Sequence, residues 1–495
     1  MKRLSYFIII LFVFSGCKKA LEETPYSNIY TQNFYSNAAE AEAAISAVYG
    51  NLYGMYNSGA PLFAAEWSAD QMFPRNVVGR NTLTSFLYEP TYSAQNGFGR
   101  TNESPQEIWK RSYITIESAN WVIEKVPSTP METVRRNNIV GEAYFLRAFC
   151  HWILAKNFGS IVVKTTPTYS IDAAFVGRLP IDQVYEQIFA DCDKAIQLLP
   201  DYTAALVKGR ATKQAAQLLL AKAALYNQKW DLAVTNAKAV INSNRYSLLP
   251  SVADLFNPAK KDLARQEVLF AVELNNTTNP IRQSQIHFFA APNGVSNYNK
   301  GGAGAMYVYS SFYNSLPTAD KRKALMDTNY INGSNVTVSR VNIDTRLATR
   351  DLVLMGKYKD PNSVGAYGNN NIYLLRLADA FLIAAEAQAR ASGPATESYS
   401  YVDSVRLRAG MPILTRGLSQ TAFVDSVLQE RSLEFFGEGD RWYDLTRTDK
   451  FLTVVPTAVN ADYPSRTVAP KNKYFPIPQV EINANPMLTQ NDPWK

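Results

Sequence analysis

Glu430, Glu434, Glu438, Asp440 and Asp444 crowd five carboxylates into one short stretch of the chain. A pair of carboxylates flanking a glycosidic bond is the usual machinery of glycoside hydrolysis, so this cluster is the first place to look for catalysis. Its spacing argues for another role. Glu430 and Glu434 share a helical run with Arg431, and Arg441 and Arg447 follow at close range. Acids interleaved with arginines beside Phe435, Phe436, Trp442 and Tyr443 are expected to be ion pairs at the edge of a core. The chain carries 43 acids, so counting alone leaves other pairs open. Nucleophilic chemistry has little to work with. His151 and His287 are the only histidines; one sits in a helical pattern, the other in an apolar run, and neither stands in a nucleophile motif or a His-rich metal site. Gly301-Gly302-Ala303-Gly304 lacks the Lys-Ser/Thr of a phosphate-binding loop. These residues call for no cofactor and no metal.

The residues that remain suit binding. A sugar lays its C–H face on an aromatic ring, while amide, carboxylate and guanidinium groups take its hydroxyls. Trp67, Tyr88, Tyr92 and Phe98 fall in one loop-like stretch, and Asn297, Tyr298, Asn299, Tyr307 and Tyr309 in another. Neither stretch shows helical periodicity, so these rings have no evident core face, and exposed rings ask for a partner. Trp67, Tyr92, Tyr298 and Tyr307 are the expected ligand contacts.

The elements around them read as mostly helical. With 46% hydrophobic and 19% charged residues, the 495-residue chain is globular and long enough for a large core. A formal charge of +7 is mild for this length and gives no reason to expect nucleic acid as a partner. Helices are predicted from Ala38 to Leu52, from Pro105 to Pro127, from Glu142 to Phe158, and from Pro180 to Leu199. Thr212 to Tyr226 and Trp230 to Ile241 read as an αα-hairpin with small residues at tetratricopeptide-like spacing. Residues 54–99 read as loop, and 245–370 as irregular, with strand-like pieces at Glu267–Val272 and Val336–Ile343 and a long Asn/Gly-rich insertion at 275–304. A further alanine-rich helix is predicted from Leu374 to Arg390, with Asp379, Glu386 and Arg390 on one stripe. Cys150 and Cys192 read as buried free thiols, with a disulfide between them as the alternative.

Residues 1–16 read as a secretory signal: Lys2-Arg3, then an apolar run too short to span a membrane. Ser15-Gly16-Cys17 resembles a bacterial lipobox, with Phe14 where leucine is more usual. Cys17 is the expected lipidation site, residues 17–36 a tether, and 37–495 one domain with parts at about 37–245 and 246–495.

Three segments in order carry a family resemblance. They are Leu375-Arg376-Leu377-Ala378-Asp379 running on to Ala385-Glu386-Ala387, then Arg406-Leu407-Arg408-Ala409-Gly410, then the run from Glu430-Arg431 through Gly439-Asp440-Arg441-Trp442-Tyr443-Asp444-Leu445. Together they resemble the C-terminal half of the SusD/RagB family of outer-membrane lipoproteins. The resemblance implies a mostly α fold of tetratricopeptide-like helix pairs with long loops and a few short strands. It implies a non-enzymatic, lipid-anchored protein at the outer membrane, facing the cell exterior. Such a protein binds an oligosaccharide in its variable loops and delivers it to a SusC-like TonB-dependent transporter. A peptide-binding member of the family and a glycan-active hydrolase on a helical scaffold are the alternatives.

Overall fold

Asn37 starts the first helix: its side chain accepts the Glu40 amide at 3.1 Å, as an N-cap should. The structure, a computed structural model, describes residues 34–77, 79–92, 104–277, 279 and 281–495. Helix α1 (Ala38–Asn57) is followed at once by α2 (Ala60–Glu66). Gly59 makes the break with φ of 79°, and a Cβ there would lie 2.6 Å from the Phe63 ring, so only glycine fits. Strand β1 (Met72–Pro74) and the turn α3 (Asn81–Thr84) precede α4 (Pro105–Lys125), which opens on proline at its first position. The next helix, α5 (Thr133–Phe158), is capped by the Glu132 carboxylate and ends at Gly159. Then come α6 (Ile181–Leu198), α7 (Lys213–Tyr226) and α8 (Trp230–Asn242).

These helices pack in sequence: α1 on α4, α4 on α5, α5 on α6, α6 on α7 and α7 on α8. Ala215, Ala216, Ala221, Ala223 and Ala224 of α7 and Ala233 and Ala237 of α8 are wholly buried. Without bulk at the seam the two helices approach closely, which is the tetratricopeptide-like arrangement.

The middle of the chain is built from short pieces: α9 (Val252–Leu255), α10 (Lys261–Ala264), β2 (Val268–Val272), α11 (Gln285–Ala290), β3 (Met306–Val308), α12 (Ser310–Ser315), β4 (Met326–Asp327), β5 (Asn329–Ile331), β6 (Thr337–Ser339), β7 (Leu354–Met355) and β8 (Ile372–Arg376). The strands pair two by two and antiparallel, β1 with β3, β2 with β8, β4 with β7 and β5 with β6. The β1–β3 pair joins the two loop-like stretches singled out in the sequence.

The last part returns to helix: α13 (Leu377–Ser392), α14 (Thr396–Arg408), α15 (Gln420–Glu434), α16 (Arg441–Arg447), α17 (Phe451–Val454) and α18 (Gln479–Ala484). Helix α13 packs on α8, α14 and α15 and so joins the two halves. The charges of the C-terminal motif are paired and buried, as their spacing implied. Glu434 takes Arg376 and Arg408, each at 2.5 Å, and Arg322 at 3.3 Å. Arg322 also holds Glu430 at 2.6 Å, and Lys357 holds Glu438 at 2.6 Å. A second network joins Lys222 to Asp379 and Asp440, Arg431 to Asp379 and Asp444, and Arg447 to Asp444 and Glu386. Burial alone would raise the Glu434 pKa; Arg408, Arg376 and Arg322 outweigh it and hold the carboxyl well below its usual range. For Glu386 the same contest, won by Arg447, ends at about 2. These groups are charged, and they are mortar between helices.

The C-terminal part also closes the N-terminal part. The Arg466 guanidinium donates to the carbonyls of Trp67, Ser68, Ala69 and Thr84 at 2.7–3.1 Å. Gln71 donates to the Ser432 carbonyl at 2.7 Å, and Arg441 pairs with Asp70 at 2.7 Å.

Several boundaries differ from the expectation. Residues 54–57 and 60–66 are helical, because α1 runs on to Asn57 and α2 follows the break at Gly59; α2 is buried on every side and so shows no polar face to mark its period. Helix α5 begins at Thr133, nine residues early, because its first turns are polar and solvent-facing. Residues 374–376 belong to strand β8, and α13 starts at Leu377. Val336–Ile343 is strand only at Thr337–Ser339 before a tight turn takes over. Cys150 and Cys192 are free and buried. No helix among the described residues is long and apolar enough to cross a membrane.

Candidate functional site

The four rings expected to meet a ligand are all in the core. Trp67, Tyr92, Tyr298 and Tyr307 are each no more than 1% exposed. Trp67 caps α2 and stacks on Phe63 with ring centroids 4.3 Å apart. The Tyr92 hydroxyl donates to the Pro476 carbonyl at 2.8 Å. Tyr307 donates to Asp344 at 2.6 Å and Tyr298 to Asp327 at 2.5 Å. The expectation that these rings stand free is therefore corrected: each loop folds its ring inward and gives the hydroxyl, where there is one, a partner. Tyr88 and Tyr309 are buried too, Asn297 and Asn299 bond to backbone, and Phe98 lies outside the described residues, as does Cys17.

Open space lies beside them. A cavity of about 610 Å³ is walled by Phe256, Asn257, Asp327, Lys359, Asp360, Asn362 and Asn369, among others. Pro258 and Ala259 separate it from a second cavity, of about 630 Å³, lined by Lys208, Lys261, Asp262, Glu273 and Arg282. Lys208, Glu273 and Arg282 are shared with a third, of about 230 Å³, which reaches Tyr49, Tyr53 and Arg210 beside α1. Neighbouring cavities share wall residues, so the three lie side by side along one region of the surface, called here the furrow. It runs from α1, past the 207–210 turn, across the irregular middle of the chain.

Each wall group is held. At one end Lys359 lies 4.7 Å from the Tyr298 ring centroid, with its ammonium 3.3 Å from Asp327. Asp360 donates its own amide to the Tyr298 carbonyl at 2.7 Å and accepts the amides of Asn362 and Asn369 on its two carboxylate oxygens. Tyr298 thus does not face the furrow with its ring but braces the acid and the lysine that do. At the other end the guanidinium groups of Arg210 and Arg282 lie 5.1 and 5.8 Å from the rings of Tyr49 and Tyr53. Arg210 is tied to Glu142 at 2.7 Å. Lys261 is partly buried, which lowers its pKa, and donates to the Leu274 carbonyl at 2.7 Å. Gly209 gives the furrow its width: φ is 78°, and a Cβ there would meet the Glu273 side chain at 3.0 Å. The wall offers amides, carboxylates and cations together, which suits a polyhydroxylated chain. Among the described residues no group of acids, histidines and cysteines is placed to hold a metal ion.

None of these furrow residues was singled out in the sequence. They come from separate segments and share no motif; the Asn/Gly-rich insertion was the only local signal.

Two family models match the chain. The one described as "SusD family" covers residues 348–494, and the one described as "Starch-binding associating with outer membrane" covers residues 19–225. The chain belongs to the SusD/RagB family. Its SusD-like relatives include the SusD-like protein P25 of Formosa agariphila, 24% identical over 98% of this chain and 97% of that one. Among solved structures, a SusD homologue from Bacteroides thetaiotaomicron matches with a TM-score of 0.78 at 22% identity, over 93% of this chain and 98% of the other. A laminarin-binding SusD-like protein matches with a TM-score of 0.75 at 23% identity, over 92% and 99%. These two likenesses are of fold. They agree with the helix-pair architecture and span both halves joined by α13.

Proposed function

We propose that this SusD-like protein is a non-catalytic carbohydrate-binding lipoprotein that takes an oligosaccharide in the furrow and delivers it to a SusC-like TonB-dependent transporter. The observation that carries the reading is the furrow wall, where Asp327, Lys359, Asp360, Asn362 and Arg282 supply both acceptors and donors. Asp327 and Asp360 are committed to Tyr298, Lys359 and backbone amides, which suits hydroxyl recognition better than proton transfer. Family membership, and a fold shared with a protein described as laminarin-binding, support the ligand class. Tyr298 acts in this reading through Asp327, and Tyr307, Trp67 and Tyr92 by fixing the loops.

Calorimetric titration with laminari- and malto-oligosaccharides tests the site. Lys359→Ala and Arg282→Ala are each expected to weaken the best ligand about tenfold, a loss of about 1.4 kcal/mol, with the melting temperature unchanged. If no glycan gives heat, or both variants bind like the parent, the furrow is not the site.

The same reading places residues 1–16 as a signal, Cys17 as the acylated first residue, 17–36 as a tether and 37–495 as one domain at the cell exterior. More than one acyl chain is needed for stable anchoring. Cys17→Ala is expected to move the protein from the membrane fraction to the soluble one. A variant that stays with the membranes removes lipidation as the anchor.

A further inference from the structure

His287, one of two histidines in the chain, stands behind the furrow wall. It lies in α11 and is wholly buried. Its Nε2 is 3.0 Å from the Asn370 carbonyl oxygen, and its Nδ1 is 3.3 Å from that of Ser284. The Tyr358 ring packs edge-on against the imidazole, with centroids 5.5 Å apart. A Cβ on Gly368 would lie 2.8 Å from the His287 ring and 3.0 Å from the Asn370 side-chain oxygen. Glycine at 368 is what lets the imidazole and Asn370 come together.

Asn370 ties together two segments that line the cavity of about 610 Å³. Its side-chain amide donates to the Phe256 carbonyl at 2.8 Å and to the Lys357 and Lys359 carbonyls at 3.3 Å each. Phe256 and Lys359 both line that cavity. So does Asn369, whose backbone amide donates to Asp360 at 2.8 Å. Asn370 is itself buried, and among the described residues the His287 ring is the only hydrogen-bond donor to its carbonyl. Without that donor a buried carbonyl is left unpaired, which is costly enough to move the segment that carries it.

The ring must choose between its two carbonyls. Burial lowers the His287 pKa to about 4; the Ser284 and Asn370 carbonyls and Asp360 pull it up, and Lys261 pushes it further down. At neutral pH the imidazole therefore carries one proton and can donate one hydrogen bond. The shorter contact is the one to Asn370. We propose that His287 is a positioning residue for the furrow: with its proton on Nε2 it holds the Asn370 carbonyl, and Asn370 in turn fixes Phe256 and Lys359 in the cavity wall. Its effect on affinity rests on the carbohydrate reading of the furrow; its hold on the wall does not.

The test uses the full mature chain with 15N-labelled histidine. Long-range 1H–15N spectra read the tautomer directly, and the signals lost in His287→Gln belong to this ring. The proton is expected on Nε2. Two variants then read the hold on the wall, because a glutamine amide reaches about as far as Nε2 and an asparagine amide about as far as Nδ1. In His287→Asn, hydrogen exchange at the Asn362 and Asn369 amides, followed by mass spectrometry, should speed up about tenfold. The best glycan should bind about tenfold more weakly to the same variant. His287→Gln should restore both to within about twofold of the parent. A proton on Nδ1 overturns the proposal, and so do two variants that behave alike. If no glycan gives heat, the carbohydrate reading fails by itself, and the tautomer and the exchange rates still decide for or against His287.

Discussion

Glu434→Gln is expected to cost about 3–5 kcal/mol of folding stability at pH 7, the usual loss when one partner of a buried ion pair is removed. The change keeps the shape and removes one charge. Arg376 and Arg408, each 2.5 Å from the same carboxylate oxygen, would then face each other with too little negative charge between them. Burial would hold that repulsion at low dielectric, where it is largest. Asp425→Asn is the control. Its pair with Lys450 is half exposed on both sides and is worth about 0–1 kcal/mol. Calorimetric melts of the two variants beside the parent measure the difference. A Glu434→Gln melt no lower than the Asp425→Asn melt would mean the network has slack that the geometry does not show.

The second large effect has the opposite sign and depends on pH. Glu66 is wholly buried, and burial pushes its pKa from 4.5 to about 8, against the pull of the Gly439 and Gly437 amides. Between those two values the native protein holds a proton that the unfolded chain has released. Stability from this group is thus full below pH 4.5, declines as pH rises and levels off above pH 8. Glutamine resembles the protonated acid and does not titrate. Glu66→Gln should therefore melt within about a degree of the parent near pH 5 and be more stable by about 2–4 kcal/mol at pH 8. Two melting curves that stay parallel across that window would show that Glu66 is charged in the native state.

Much of the helical frame was legible because its signals are local. The α7–α8 hairpin could be drawn from Ala221, Trp230, Ala233 and Ala237, all within one short stretch and all on one seam. The charges at Arg431, Glu434 and Asp444 could be read as paired because acids and arginines interleave closely in sequence, Glu430, Arg431 and Glu434 on α15 and Arg441, Asp444 and Arg447 on α16. The binding region was not legible in the same way. Tyr298 looked free because its partner, Asp327, lies 29 residues on, in β4, and Tyr307 because Asp344 lies beyond β5 and β6. Trp67 looked free because α2 is buried all round and leaves no polar stripe to reveal a helix. The furrow depends on Lys208, Arg282 and Lys359 lining neighbouring cavities from segments that share no pattern, so only the assembled chain places them there.

The bonds from Arg466 to Trp67, Ser68, Ala69 and Thr84 bear on the order in which the molecule can be completed. A ribosome makes the chain from its N-terminus, and α4 through α7 each find a packing partner in the next helix to appear, so that stack is assembled from near neighbours and can form early. The residues between α2 and Tyr92 are synthesised before all of it, yet their carbonyls wait for Arg466, Gln71 waits for Ser432, and Tyr92 waits for Pro476. One of the first segments to be made is thus one of the last to settle. A chain that stops short of Arg466 has the helices through α17 but leaves the carbonyls of Ser68, Ala69 and Thr84 without that guanidinium, at the site where an export or quality-control factor would find unfinished backbone.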